Sequence, residues 1–184
     1  LVPVRDAAWA GSVIDGIGFA VTGLALGLAV CRLARRRGSV WATVGAVATT
    51  LGGIVFACGS VAFAVLMWFA TSPDLVPVPT GTALLEHVAG HPGHLFVLQM
   101  SGFIGYSIGV LVLAVALWRS GSVPRWLPTV LGLLTVALFA GVEGRALDVV
   151  EAAQNAMLLG VAWYLWRTCG ARSGSRTSPA DAVG

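Results

Sequence analysis

Charge is what this 184-residue chain has least of: only 10% of its residues are charged, and lysine is missing, so all 11 basic side chains are arginine. Soluble domains carry roughly 25% charged residues. A water-soluble fold of this length needs polar side chains to cover its surface, so a soluble globular domain is excluded. The scarcity of polar residues also excludes a disordered chain. Cysteine is sparse as well, with three residues and no Cys-x-x-Cys pair. Cys31 and Cys169 border arginine-bearing segments and Cys58 falls inside an apolar run. That pattern excludes a disulfide scaffold and a thiolate metal site.

What is present is apolar. Hydrophobic side chains make up 57% of the chain and glycine adds 24 positions. Soluble domains reach roughly 45–50% with glycine included. The composition therefore predicts an all-α fold, a polytopic transmembrane helical bundle. A spanning helix needs about 20 mostly apolar residues. On that ruler the chain predicts about five spans, near 14–33, 41–68, 95–118, 126–142 and 146–166. They form one transmembrane domain over 14–168. Residues 1–13 are expected to be a short outer segment, 71–94 an outer loop and 169–184 a disordered cytoplasmic tail.

Several features set these bounds. The stretches 16–31 and 38–73 contain no charged residue. The second is long for one crossing. Yet Trp41 and Trp68 are 27 residues apart, about 40 Å of helix, which matches a bilayer with its interfaces. One long tilted helix is the reading adopted; a shorter span followed by an interfacial segment is the alternative. Pro73, Pro77 and Pro79 interrupt the next segment, with a short amphipathic helix expected at 82–89.

Orientation follows from the arginines. In this threading Arg32, Arg35, Arg36, Arg37, Arg119, Arg125, Arg167, Arg172 and Arg176 share one side, and Arg5 and Arg145 the other. Positive charge marks the cytoplasmic face, so the chain is expected to run N-out, C-in. Trp9 and Trp68 then map to the outer interface, and Trp41, Trp118, Trp126, Trp163 and Trp166 to the inner one. The first basic cluster comes after the first apolar run, so that run reads as a retained anchor rather than a cleaved signal. Arginine without lysine, together with abundant Ala, Gly and Val, suggests a GC-rich bacterial gene. The expected location is the bacterial cytoplasmic (inner) membrane, crossed several times.

The first two predicted hairpins resemble each other. Gly16, Gly23, Gly38-Ser39-Val40 and Phe56-Ala57 correspond to Gly102, Gly109, Gly121-Ser122-Val123 and Phe139-Ala140. Both hairpins would start outside, which would make a parallel two-hairpin repeat with a fifth helix added. Chance likeness between apolar helices is the competing explanation.

Ionisable groups inside a membrane are rare and often functional. Asp148, Glu151 and Asn155 stand at i, i+3 and i+7, on one helical face, with Glu143 in the turn before them. They are candidates to line an outward-facing polar cavity. The plainer explanation is that acids favour a helix N-terminus in the headgroup region. Asp15 opens the first span on the same side. A helix beginning near residue 7 would carry it about two turns into the membrane, and one beginning near 14 would leave it at the interface.

All three histidines fall in one segment, Glu86-His87-Val-Ala-Gly-His91-Pro-Gly-His94. The i, i+4 spacing of His87 and His91 can present two imidazoles to one metal, so Glu86, His87, His91 and His94 are candidate ligands. Pro92 disfavours helix at His91, and Gly90 and Gly93 loosen the segment. A titratable outer loop is the plainer reading. Gln99, about a turn beyond His94, could add a polar group to a cavity. Gly23-xxx-Gly27 and Gly105-xxx-Gly109 are helix-packing motifs in lipid.

No phosphate-binding loop, nucleophile elbow or haem-attachment motif occurs, and no cofactor is expected. Arginines that flank apolar runs record membrane orientation, so no nucleic-acid partner is expected despite the net charge of +3. The expected partners are membrane lipid and either further copies of the chain or another membrane protein. A purely structural, lipid-facing scaffold with no site is one possibility, and two functions stay open beside it. One is an accessory subunit or small permeation unit with an outward-facing polar cavity. The other is a membrane-embedded enzyme that uses Glu, Asp and His groups on a lipid or apolar substrate near the outer leaflet. Whether the chain is an enzyme is left undecided at this level.

Overall fold

The structure, a computed structural model, describes residues 2–34, 38–91, 93–139 and 145–174. Among them are six helices and no strand: α1 (Val2–Leu33), α2 (Ser39–Ala70), α3 (Val78–Gly90), α4 (His94–Ser120), α5 (Trp126–Ala137) and α6 (Arg145–Gly174). Three are long and apolar enough to cross a membrane: Val4–Leu33, Ser39–Ala70 and His94–Ser120. α5 is apolar but has 12 residues, about 18 Å of helix, against a hydrocarbon core of about 30 Å. α6 is long but holds Arg145, Asp148, Glu151, Gln154 and Asn155 near its start. It is not among the three. The all-helical fold stands, with three qualifying helices where the sequence reading draws five spans.

Element boundaries reflect local chemistry. α1 starts at Val2 rather than near residue 14. Pro3 sits in its first turn, where a missing N–H breaks no helical bond, and nothing between Pro3 and Gly11 interrupts the helix. α2 is one unbroken helix of 32 residues. α3 begins before the expected residue 82 because Pro77 caps it and Pro79 falls in its first turn. It closes at His91, whose backbone N–H donates to the His87 carbonyl at 2.9 Å. α6 continues past 166 and 169 to Gly174. Residues 175–184 of the expected tail, and the turn at 140–144 with the end of the fourth span, lie outside the described residues.

Arg32 and Arg119 sit in the last turns of α1 and α4, where the helix dipole favours a cation. After them come Gly38, with φ 96°, and Gly121, with φ 62°. This left-handed region is open to glycine because no Cβ clashes. These are the leading glycines of the two Gly-Ser-Val triplets. The two triplets lead into different helices: α2 starts at once and is long, whereas α5 starts at Trp126 and is short.

The described chain divides into two compact units: Leu1–Ala25 with Gly45–Gly109, and Leu26–Val44 with Val110–Gly184. In the first, α2 runs antiparallel to both α1 and α4. A Cβ on Gly52 would strike the Tyr106 backbone, one on Gly102 the Phe56 backbone, and one on Gly109 Thr49. On the α1 side, a Cβ on Gly23 would lie 2.8 Å from the Thr49 carbonyl oxygen. Phe19, Phe56 and Tyr106 cluster there, with ring centroids 4.4 Å apart for Phe19–Phe56 and 4.9 Å for Phe19–Tyr106. In the second unit the largest fully buried side chains are aliphatic, among them Leu113 and Leu117 of α4, Leu127 and Leu131 of α5, and Val161 of α6. Gly160 of α6 approaches Leu127 of α5 closely, with a Cβ there 3.1 Å from Leu127 Cδ1.

Candidate functional site

A cavity of about 690 Å³ belongs to the first unit. Three elements shape it. α3 folds back against the end of α2 at Gly81, which is buried and whose Cβ would strike the Ala70 carbonyl oxygen. Only glycine allows that approach. α3 then presents Leu85 and Val88, α2 presents Phe63 and Met67, and α4 presents Phe96. The polar groups in this apolar wall are His91, His94 and Gln99. Gln99 Nε2 donates to Ser60 Oγ at 3.4 Å, joining α4 to α2 beside the cavity.

The histidine segment places its groups unevenly. The His87 and His91 rings stack, with centroids 4.6 Å apart and planes at 24°, as an i, i+4 pair can. His91 Nδ1 lies 3.2 Å from the His87 carbonyl oxygen. Both rings and His94 are exposed. Among the described residues no group of three or more His, Cys, Asp or Glu is close enough to hold a metal ion. Glu86, His87, His91 and His94 are thus not gathered into a ligand set. Two of them, His91 and His94, instead face the cavity.

The acidic stripe of α6 is only partly described. Glu143 and the side chain of Asp148 lie outside the described residues. Glu151 and Asn155 are exposed, while their neighbour Gln154 is buried at 7% exposure. Gln154 keeps the spacing of Met157, Leu158 and Val161, all at least half-buried, so the buried face of α6 is offset from the stripe. That i, i+3, i+4, i+7 pattern was the signal for Gln154.

Asp15 is settled by the start of α1. It stands thirteen residues beyond Val2, more than three turns inside the helix. It is exposed and, among the described residues, makes no hydrogen bond or ion pair.

A polar cluster at the start of α1 went unread in the sequence. Trp68 Nε1 donates to Asp6 Oδ1 at 2.9 Å. Arg5 Nε lies 3.3 Å from the same oxygen, and Arg5 Nη1 donates to Ser72 Oγ at 3.1 Å. The guanidinium also stands 4.9 Å above the Trp68 ring. This clasp ties α1 to the end of α2 and borders a second cavity of about 290 Å³. Nothing in local sequence pairs residues 5 and 6 with 68 and 72.

Among the packing glycines, Gly23 and Gly109 meet Thr49, and a Cβ on Gly105 would lie 3.5 Å from the Gly52 Cα. Gly27 is buried. Gly52, Gly59 and Gly102 take part in the same seam and were missed, although Gly52 and Gly59, like Gly102 and Gly109, recur at seven residues. No family model matches the chain, and neither a curated protein nor a solved structure matches it.

Proposed function

We propose that the chain is a multi-pass protein of the bacterial cytoplasmic membrane, threaded N-out and C-in with about five crossings. It acts as an accessory unit that holds a lipid-class molecule near the outer leaflet. The observation that carries this reading is the cavity of about 690 Å³ between α2, α3 and α4. That volume falls within the roughly 300–1,000 Å³ of small-molecule sites. Phe63, Met67, Leu85, Val88 and Phe96 suit an acyl or isoprenoid chain, and His91, His94 and Gln99 suit a polar head. The one-sided distribution of the arginines supports the threading. A permeation path along α6 has less support, because Glu151 and Asn155 are on its exposed side.

The test is native mass spectrometry of the protein released from lipid nanodiscs, comparing the wild type with Leu85→Trp, which fills the cavity. The wild type should retain a stoichiometric lipid that the variant loses. Equal, non-stoichiometric lipid on both would overturn the reading.

A second reading, a membrane-embedded enzyme acting on a lipid, is favoured by two imidazoles on the same cavity, since acid–base catalysis needs such groups beside the reacting bond. It predicts that His91→Gln and His94→Gln abolish turnover of a bound lipid while leaving its retention intact.

A further inference from the structure

α1 carries an acidic side chain where an apolar helix should not have one. Asp15 stands six residues beyond Trp9, about 9 Å along the axis. A second ruler gives a similar depth. Its neighbour Gly16 packs on Ala57 and Ser60 of α2, and Ser60 is eight residues, about 12 Å, from Trp68. Tryptophan prefers the membrane interface. With Trp9 and Trp68 at the interface, Asp15 lies within the hydrocarbon of a bilayer that α1 crosses.

Membrane-embedded carboxylates normally face the bundle interior and pair with a cation or donor. Asp15 does neither: it is exposed, and no described group bonds to it. The surface around it suits a helix. Gly11, Asp15 and Gly18 recur at i, i+4 and i+7, and nothing lies within 4 Å of a Cβ on either glycine. Ile14 and Val21 flank them, both exposed.

We propose that this face of α1 binds a membrane-spanning helix of another protein, one that carries a Lys or Arg at the depth of Asp15. Charge complementarity selects that occupant over a second copy. No described candidate span of this chain has a cation in its interior, the arginines of Val4–Leu33 being next to its two ends. Arg5 is already engaged by Asp6, Ser72 and Trp68. A second copy docked on the same face would bring two carboxylates together, which is unfavourable while both are charged. The bare glycines let the partner backbone approach closely, as small residues do in lipid. The inference uses the membrane crossing of α1 and is independent of the lipid cavity.

The experiment measures energy transfer in liposomes between the full-length chain and synthetic single-span leucine–alanine helices. One probe carries a Lys about 10 Å below the interface, and the control carries Leu there. The wild type should bind the Lys probe at least tenfold more tightly than the Leu probe. Asp15→Leu should erase that preference, and Gly18→Leu should weaken the Lys probe without lowering the melting temperature. Equal binding of both probes to the wild type would overturn the proposal, as would a preference that survives Asp15→Leu. Self-association of the chain that disappears with Asp15→Leu would overturn it in favour of a second copy.

Discussion

In the first unit, Thr49, Gly52, Phe56 and Gly59 of α2 meet Gly109, Tyr106, Gly102 and Gln99 of α4, with a glycine in every pair. In the second unit the same helix α4 buries Leu113 and Leu117, while α5 buries Leu127 and Leu131. In a bilayer, where lipid removes most of the hydrophobic drive for helix association, both units would depend on close van der Waals contact. They reach it by opposite means. In the first unit glycine lets two backbones approach, and in the second the leucines of α4 and α5 are among the largest fully buried side chains. The first unit should therefore be sensitive to added atoms and the second to removed ones.

The largest effect is expected from Gly102→Leu, whose side chain would have to displace the Phe56 backbone. Backbone cannot yield as a side-chain tip can, so the loss should reach about 3 kcal/mol, the upper end of ordinary overpacking. It is measurable as a drop in melting temperature monitored by tryptophan fluorescence in detergent. Gly11→Ala, with open space around it, should be neutral or slightly stabilising, because alanine is the better helix former. If the two glycine variants melt alike, the seam is not what holds the first unit together.

Next comes Leu113→Ala in the second unit. A fully buried leucine leaves a cavity when truncated, and about 2 kcal/mol is expected, the low end of the soluble range. The lower figure is the one for a helix in a bilayer, where lipid, not water, is the alternative surrounding. Leu113→Met, near in volume, should recover most of the loss. A loss under both substitutions would mean that the second unit depends on shape as strictly as the first.

The smallest effect is expected from the polar link. Gln99→Leu removes the hydrogen bond to Ser60 and should lower stability by about 0.6 kcal/mol, the average for such bonds between membrane helices. A double-mutant cycle with Ser60→Ala would isolate that coupling. A coupling several times larger would show that hydrogen bonding, and not only close packing, joins α2 to α4.

Much of the helix pattern was legible because it is a local property. Charge-free stretches such as 38–73 can only be helices if they cross lipid, since each backbone polar group must be satisfied within its own segment. The ends were harder to read. Prolines at 77 and 79 look like breaks in a linear reading but are compatible with a first turn, so α3 begins earlier than expected; α1 begins earlier because its helix runs on through the polar residues that precede the charge-free stretch. The candidate site was legible only in fragments. His91, His94 and Gln99 were singled out individually, yet the cavity they share depends on Phe63 and Met67, about thirty residues earlier. The Arg5–Asp6–Trp68–Ser72 clasp is likewise a product of α1 and α2 lying side by side.

Sequence by itself determined the helical class, because an apolar chain with this little charge has few other ways to satisfy its backbone. It also determined which side chains are unusual for such a setting: Asp15, the histidines and the acids of α6. Tertiary structure alone decided which glycines touch a neighbouring backbone and which face open space, although all look equivalent in the linear chain. It also decided that Gln154 is buried while Glu151 and Asn155 are exposed, and that Asp15 is deep in α1 yet unpaired among the described residues. The physical reason is that composition and periodicity are sums over neighbours in sequence, whereas burial and pairing depend on which helix faces meet.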